Sequence, residues 1–404
     1  MSWEKKKIGD YCEITSSKRI FYSEYVDSGV PFYRSKEIIE ASQGQPISEP
    51  LYISQEKYND IKAKFGVPVP GDMLLTSVGT IGIPYIVRAD DFFYFKDGNL
   101  TWFRNFDDAL LSKYLFYWMG SKEGYGVLNN STIGSSQKAL TIASLKQIEF
   151  PLPPIEVQER IVDILSAYDD LIENNQKQIK LLEEAAQRLY KQWFIDLRYP
   201  GHETTKIVDG LPQGWKKCRI DERFKTVLGG TPSRANPNYW NGNIAWINSG
   251  EVNNLRIMKA SEYITELALE KSATKMMPVH TTVIAITGAT LGQVSYTEIE
   301  TCANQSVVGI IDETELFSMY LYLFVSTNIK SMIGKATGGA QQHINKDIVN
   351  EYKIILPEER VIKKLNILTA PIFNKIADCY RQIEKLTESR DRLLPKLVNG
   401  ELEV

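Results

Sequence analysis

The feature that most constrains this chain is that it repeats itself. Gln137 falls on Gln341, and from there to Lys191 the sequence aligns without a gap on the stretch ending at Pro395, a constant offset of 204 positions. On that offset Leu152-Pro153 meets Leu356-Pro357, Val157 meets Val361, Gln178-Ile179 meets Gln382-Ile383, Leu182 meets Leu386, Glu184 meets Glu388 and Arg188-Leu189 meets Arg392-Leu393. Upstream the order continues with drifting offsets, as loops of unequal length demand. Trp3 and Ile8 match Trp215 and Ile220; Phe32, Ser35 and Glu37 match Trp246, Ser249 and Glu251. Thr80-Ile81-Gly82 matches Thr290-Leu291-Gly292, and Ser112, Tyr114 and Leu115 match Ser318, Tyr320 and Leu321. An unbroken order of matches over nearly the whole chain means a duplication.

At 404 residues the chain is too long for one ordinary core. Each copy begins with a region of mixed character, 1–150 and then 212–355. Runs such as Asp72-Met73-Leu74-Leu75-Thr76 and Thr282-Val283-Ile284-Ala285-Ile286 predict strands. One helix per copy is expected around 109–119 and 316–325, which makes each region α+β. A helical region follows each, 151–198 and 356–404, with 199–211 reading as a linker. In the first, Ile161, Leu165, Tyr168, Ile172, Asn175, Ile179, Leu182, Ala186, Leu189 and Trp193 alternate spacings of four and three. Leu365, Ile372, Ile376, Cys379, Ile383, Leu386 and Leu393 keep the same frame in the second. That is a coiled-coil seam, and each helix begins after proline (Pro153-Pro154; Pro357). About 35 residues of helix reach ~50 Å, so two such helices packed together would hold the mixed regions a fixed distance apart. Asn175 on the seam either fixes register or is a tolerated polar residue. Trp193 and Phe194 are expected to pack at the helix end.

Hydrophobic residues make up 43% of the chain and charged residues 24%, the balance of a globular protein. No apolar run approaches the ~18 residues of a membrane span, and no apolar stretch follows Lys5-Lys6-Lys7, so no secretory signal is expected. Cys12, Cys218, Cys302 and Cys379 lie far apart, without zinc-site spacing or disulfide density. A cytoplasmic location follows. The net charge of -3 weighs against a nucleic-acid binder unless positive charge is concentrated locally or borrowed from a partner.

Several stretches nevertheless resemble the specificity subunit of type I restriction-modification systems. They are Pro151-Leu-Pro-Pro-Ile-Glu-Val-Gln-Glu-Arg-Ile-Val162, Leu211-Pro-Gln-Gly-Trp215, Gly229-Gly-Thr-Pro-Ser233 with Asn236-Pro-Asn-Tyr-Trp240, and the ending Arg390-Asp-Arg-Leu-Leu-Pro-Lys-Leu-Val-Asn-Gly-Glu-Leu-Glu-Val404. The resemblance implies two similar α+β target recognition domains related by a pseudo-twofold and separated by two long helices packed as an antiparallel coiled coil. Each domain would read one half of a split site in double-stranded DNA. The helices would set the spacer and dock two methyltransferase (modification) subunits, which use S-adenosylmethionine; restriction subunits using ATP and Mg would join that core. The chain itself would be non-catalytic and carry no cofactor.

Base edges are read by Arg or Lys at guanine and by Asn or Gln at adenine, with Ser and Thr tolerant of either. In the first region clusters of these types are Lys18 and Arg19; Arg34, Ser35 and Lys36; Ser77 and Thr80; and Ser135, Ser136, Gln137 and Lys138. In the second they are Thr231, Ser233 and Arg234; Asn248, Ser249 and Glu251; Thr287 and Thr290; and Gly338, Gly339, Gln341, Gln342 and His343. Any single member also fits an ordinary turn or surface charge; recurrence at equivalent places in both copies is what favours recognition. Asn99 and Asn304 read as turn residues.

Catalytic patterns are not found. Asn236-Pro237-Asn238-Tyr239 lacks the second proline of an amino-methyltransferase motif, and no glycine-rich cofactor turn precedes it. No phosphate-cradling Gly-x-x-x-x-Gly-Lys-Ser/Thr stretch occurs, and His202, His280 and His343 are scattered. Glu183-Glu184 and Asp90-Asp91 read as solvated surface. A duplicated coiled-coil scaffold without sequence-specific DNA binding remains the competing reading; it would account for the seam but not for the polar loops.

Overall fold

The structure, a computed structural model, describes residues 3–45, 47–134, 138–334 and 344–404. The chain forms two compact units, Met1–Glu173 with Glu384–Val404, and Asn174–Ile383. Each holds one mixed region and part of both long helices.

The predicted long helices are Ile155–Tyr190, 36 residues, and Glu359–Val398, 40 residues. The first ends in a wider turn over Lys191–Ile195, which turns Trp193 and Phe194 into the core. The seam positions are those the heptad selects. In the second unit Ile179 packs with Ile376 and Cys379, and Leu182, Ile372 and Ile383 lie against them. In the same unit Ala186, Tyr190 and Trp193 share a core with Val361, Ile362 and Leu365, so the segments run antiparallel. In the first unit Ile161 and Leu165 pack with Leu397 and Val398, and Asp169 pairs with Arg390 at 2.7 Å. The stretch 199–211 is anchored by Tyr199, which is buried against Trp215 with ring centroids 5.0 Å apart.

The duplication holds strand for strand. In the first unit one antiparallel sheet runs in the order Glu13–Thr15, Leu100–Arg104, Met73–Thr76, Pro84–Ile86. In the second the order is Lys225–Leu228, Val307–Ile311, Thr282–Ala285, Val294–Thr297, extended by Arg256–Ile257 alongside the last strand in parallel. A second sheet in each unit ends in a parallel pair: Val30–Tyr33 with Tyr94–Phe95, and Trp240–Ile247 with Cys302–Ala303. Phe32 stands opposite Tyr94, as Trp246 stands opposite Cys302, so the pair matched by sequence shares a register position. Short two-stranded sheets, Lys5–Lys7 with Glu149–Pro151 and Lys216–Arg219 with Lys353–Leu356, bring the start and end of each mixed region together.

Met73–Thr76 and Thr282–Ala285 are buried at every position, which is why they read as unbroken apolar runs rather than alternating ones. The helices expected around 109–119 and 316–325 are Ser112–Gly120 and Ser318–Ile333, and each packs on its own sheet through a buried face that includes Tyr114 and Leu115, or Tyr320 and Leu321. One helix per copy was too few: shorter ones such as Ser35–Ser42, Gln55–Phe65 and Lys122–Asn130 in the first region and Glu266–Lys271 and Lys346–Glu351 in the second are too brief to show a helical period in the sequence.

The reading of Glu183 as solvated surface is overturned as well. Glu183 is not solvated: it is buried, accepts from the Tyr322 hydroxyl at 2.7 Å and lies 3.4 Å from the Arg256 guanidinium. A carboxylate on a charged helix face looks solvated until the partner that covers it, here more than 70 positions away, is known. Asp91 likewise accepts from the Tyr85 hydroxyl at 2.7 Å and from the Arg88 amide at 2.8 Å.

Candidate nucleic-acid interface

Parallel pairing of two strands puts their carboxyl ends, and the loops that follow, side by side. In the first unit the Lys96 amide donates to the Tyr33 carbonyl at 2.8 Å, in the second the Asn304 amide to Ile247 at 2.9 Å. The neighbouring sheet adds further loops. Ser77 donates to Asn99 at 2.8 Å and Ile286 to Ser306 at 2.9 Å; Leu140 donates to Ser77 at 2.9 Å and Ile344 to Ile286 at 3.2 Å. Gly82 donates to Thr76 and Gly292 to Ala285, both at 2.8 Å. These hairpins need left-handed backbone at Gly79 and Gly82, and again at Gly288 and Gly292, where φ lies between 73° and 86°. Each unit thus gathers the same polar loops by the same backbone bonds.

The candidate residues distribute unevenly over this framework. Lys18 and Arg19 follow the first strand of their sheet and are exposed. The Lys18 amide donates to the Tyr94 hydroxyl at 2.7 Å, its ammonium lies 4.2 Å from the Phe65 ring centre, and Arg19 Nε meets Asp97 at 2.9 Å. Thr231, Ser233 and Arg234 occupy the equivalent loop of the second unit and are exposed. There the Gly230 amide donates to the Ala303 carbonyl at 2.8 Å. Arg34 is half-buried, with its guanidinium on Glu37 at 2.5 Å, and Lys36 lies exposed 3.9 Å from Glu40. Thr80, at a hairpin tip, is exposed, while Thr287 and Thr290 are partly covered, as are Asn248, Ser249 and Ser35. Lys138 is exposed.

Two candidates are tied into the scaffold itself. Ser77 is 2% exposed and shares a 2.6 Å hydrogen bond with Thr101. Glu251 accepts from the Asn248 amide at 2.9 Å and from the Ser261 amide at 2.8 Å, so both carboxylate oxygens hold backbone. One Glu37 oxygen likewise holds backbone, the Arg34 amide at 2.6 Å, and the other takes the Arg34 guanidinium: the matched Ser-x-Glu pattern is a turn cap. Asn304 accepts from the Ser306 amide at 3.0 Å, as a turn residue does. Ser135, Ser136, Gln137, Gly338, Gly339, Gln341, Gln342 and His343 lie outside the described residues.

Sequence reasoning missed the partners of the arginines. Arg234 is held by Glu262, at 2.6 and 2.7 Å, and lies 3.7 Å over the Trp240 ring. The hydrogen bond to Arg234 keeps the Glu262 carboxyl below its ordinary range. Asp97 plays the corresponding part for Arg19. No local signal announces such pairs.

The comparisons agree with this architecture. The family model for the type I restriction modification DNA specificity domain matches residues 1–184 and 212–374, once per copy. The chain belongs to that family. Among its relatives is the specificity subunit of the type I restriction enzyme MjaIX from Methanocaldococcus jannaschii, 29% identical over all of this chain and 94% of the relative. Another is the HindI specificity subunit from Haemophilus influenzae, 25% identical over 73% of this chain and 78% of the relative. The crystal structure of the type I restriction-modification S subunit from M. genitalium has the same fold, with a TM-score of 0.60 at 15% identity over 98% of this chain and 96% of that one. Among the described residues no helix is long and apolar enough to cross a membrane.

Proposed function

We propose that this chain is the DNA-reading subunit of a type I restriction-modification complex, with each mixed region reading one half of a two-part site. The observation that carries this is the repeated loop framework with different side chains on it. Equivalent backbone bonds hold the parallel-pair and hairpin loops in both units, yet beside them the first presents Lys18 and Arg19, tied through the Tyr94 hydroxyl, where the second presents Thr231, Ser233 and Arg234. Same scaffold and different edges suit an asymmetric site read in two parts.

The chain does no bond-making chemistry in this reading. Methyl transfer belongs to two methyltransferase partners that bring S-adenosylmethionine, and translocation and cleavage belong to restriction subunits using ATP and Mg. The long helices offer those partners apolar positions facing solvent: Leu181 is 64% and Ile367 is 72% exposed. Partners that close around the duplex would supply phosphate contacts that a chain of net charge -3 lacks. The complex works in the cytoplasm, on chromosomal DNA.

The test is a genome-wide map of methylated adenine in cells with and without the chain. The expected result is loss of one two-part motif on deletion and its return on complementation. An unchanged map, or methylation without sequence preference in both strains, rejects the proposal and favours the scaffold.

A further inference from the structure

We propose that Arg234 reads a guanine in the half-site of the second recognition region, and that Glu262 makes it a reader of bases rather than a binder of phosphate. The inference rests on the DNA-reading function above and adds to it one residue, one base and one electrostatic property.

The loop that carries Arg234 is fixed from both sides. Gly229 and Gly230 are buried, and a Cβ on either would stand 2.1 Å from the Asn304 carbonyl oxygen or 2.6 Å from the Ala273 carbonyl carbon. Only glycine permits that approach. Two indoles then build a shelf. Trp240 meets Trp246 edge to face with centroids 5.2 Å apart. Trp240 Nε1 donates to the Ser233 carbonyl at 3.2 Å and Trp246 Nε1 to the Gly230 carbonyl at 3.1 Å. Shelf and loop are therefore one assembly. The Arg234 guanidinium carbon lies 3.7 Å from the Trp240 ring centre and 5.3 Å from that of Trp246, a stacking geometry that suits Arg and not Lys.

Glu262 engages the far edge of the guanidinium, with Nη1 and Nη2 each donating to a different carboxylate oxygen. A guanidinium has five N–H groups. An end-on clamp takes one from each terminal nitrogen and leaves Nε–H with its neighbouring Nη–H along the side edge. That pair matches the O6 and N7 acceptors of guanine and mismatches adenine, whose N6 is a donor. The side chain remains 55% exposed. Stack, clamp and fixed loop hold the fork in one orientation before DNA arrives, which lowers the entropy cost of binding.

The clamp also cancels the charge. A cation that displaces counterions from phosphate steepens the fall of affinity with salt, by about 0.9 in the logarithmic slope per phosphate. A guanidinium already paired with a carboxylate contributes little to that slope, while its hydrogen bonds still discriminate bases. Arg19 in the equivalent loop of the first region is also ion-paired, with Asp97 at 2.9 Å, but through Nε, the edge that Arg234 keeps free.

The test uses the full chain purified with its methyltransferase partner. The motif methylated by the wild-type complex is mapped first, then those of Arg234→Gln and Arg234→Lys, and the salt dependence of binding is measured for each. One guanine in one half-site is expected to lose roughly 5- to 150-fold of its preference in both variants. The other half-site and the salt slope of Arg234→Gln should stay as in wild type. Glu262→Gln, which leaves the shelf and the arginine in place but frees the charge, should weaken the guanine preference less than Arg234→Gln does and steepen the slope, by at most about one. Unchanged preference at every guanine overturns the proposal, and so does uniform weakening with a slope reduced by about one, the mark of a phosphate contact. A wild-type complex with no two-part motif overturns the underlying function instead, so the two failures are distinguishable. Should Arg234→Gln fail to assemble, Glu262→Gln decides: an unsteepened slope overturns the proposal.

Discussion

Arg256→Met is expected to lower the unfolding free energy by about 3–5 kcal/mol, the usual cost of removing one partner from a buried ion pair. The Arg256 side chain is fully buried, 3.4 Å from Glu183 and 3.8 Å from Glu298. Three rings enclose its guanidinium: Phe373 at 4.5 Å, Tyr322 at 4.6 Å and Tyr296 at 5.3 Å. Glu183 comes from one long helix, Phe373 from the other and Arg256 from a sheet strand, so this one side chain fastens the sheet to both helices within its unit. Methionine fills much of the space but leaves the carboxylates facing apolar rings.

The loss should depend on pH. Burial pushes the Glu298 carboxyl above its ordinary range, against the pull of Arg256; without the arginine it rises further. A carboxyl raised in the folded state contributes stability that is present below its unfolded pKa and lost as pH climbs through the folded one. The deficit of Arg256→Met should therefore be larger at pH 8 than at pH 5, and a second change, Glu298→Gln, should recover part of it at pH 8. Urea unfolding at the two pH values checks this; equal deficits, or a loss below about 1 kcal/mol, would contradict the account.

The second large effect is in the other unit. Trp118→Ala should cost about 3–5 kcal/mol. Trp118 is 1% exposed, sits 5.8 Å from Phe150 between ring centres, and shares a core with Ile161 and Leu165 of the first long helix. Its indole N–H has no acceptor among the described residues. Trp118→Phe therefore forfeits volume but no hydrogen bond, and should cost clearly less than the alanine change. The same urea titration compares them; equal losses would mean that the indole nitrogen, not the packing, carries the stability.

How much of this was legible in the sequence depends on the range of the interaction. The heptad in 161–193 was readable because helical contacts repeat locally, and the buried seam residues fall where the spacing put them. The duplication was readable because two copies keep their order. Sheet order was not: most strands are only two to five residues long, too short for a period, and pair across long intervals of chain. The candidate loops were chosen by composition, which cannot separate a side chain facing solvent from one facing backbone. Thr80 and Arg19 are exposed, whereas Ser77 and Glu251 hold the scaffold together. Arg19 and Asp97 are 78 positions apart and Arg234 and Glu262 are 28 apart, so the pairing that defines their chemistry leaves no trace in local sequence. Trp240 lay within a matching motif, yet only the fold makes it a shelf.

Two equivalent frameworks with different edges imply that recognition can be exchanged one half at a time. Replacing residues 212–355 by the corresponding stretch of a relative with a different motif, and mapping methylated adenine in cells carrying the chimera, tests this directly. The expected result is a hybrid motif in which one half-site is the relative's and the other is unchanged. If both halves changed together, or a methylating chimera kept the original motif, the two regions would not be independent readers and the account would be wrong.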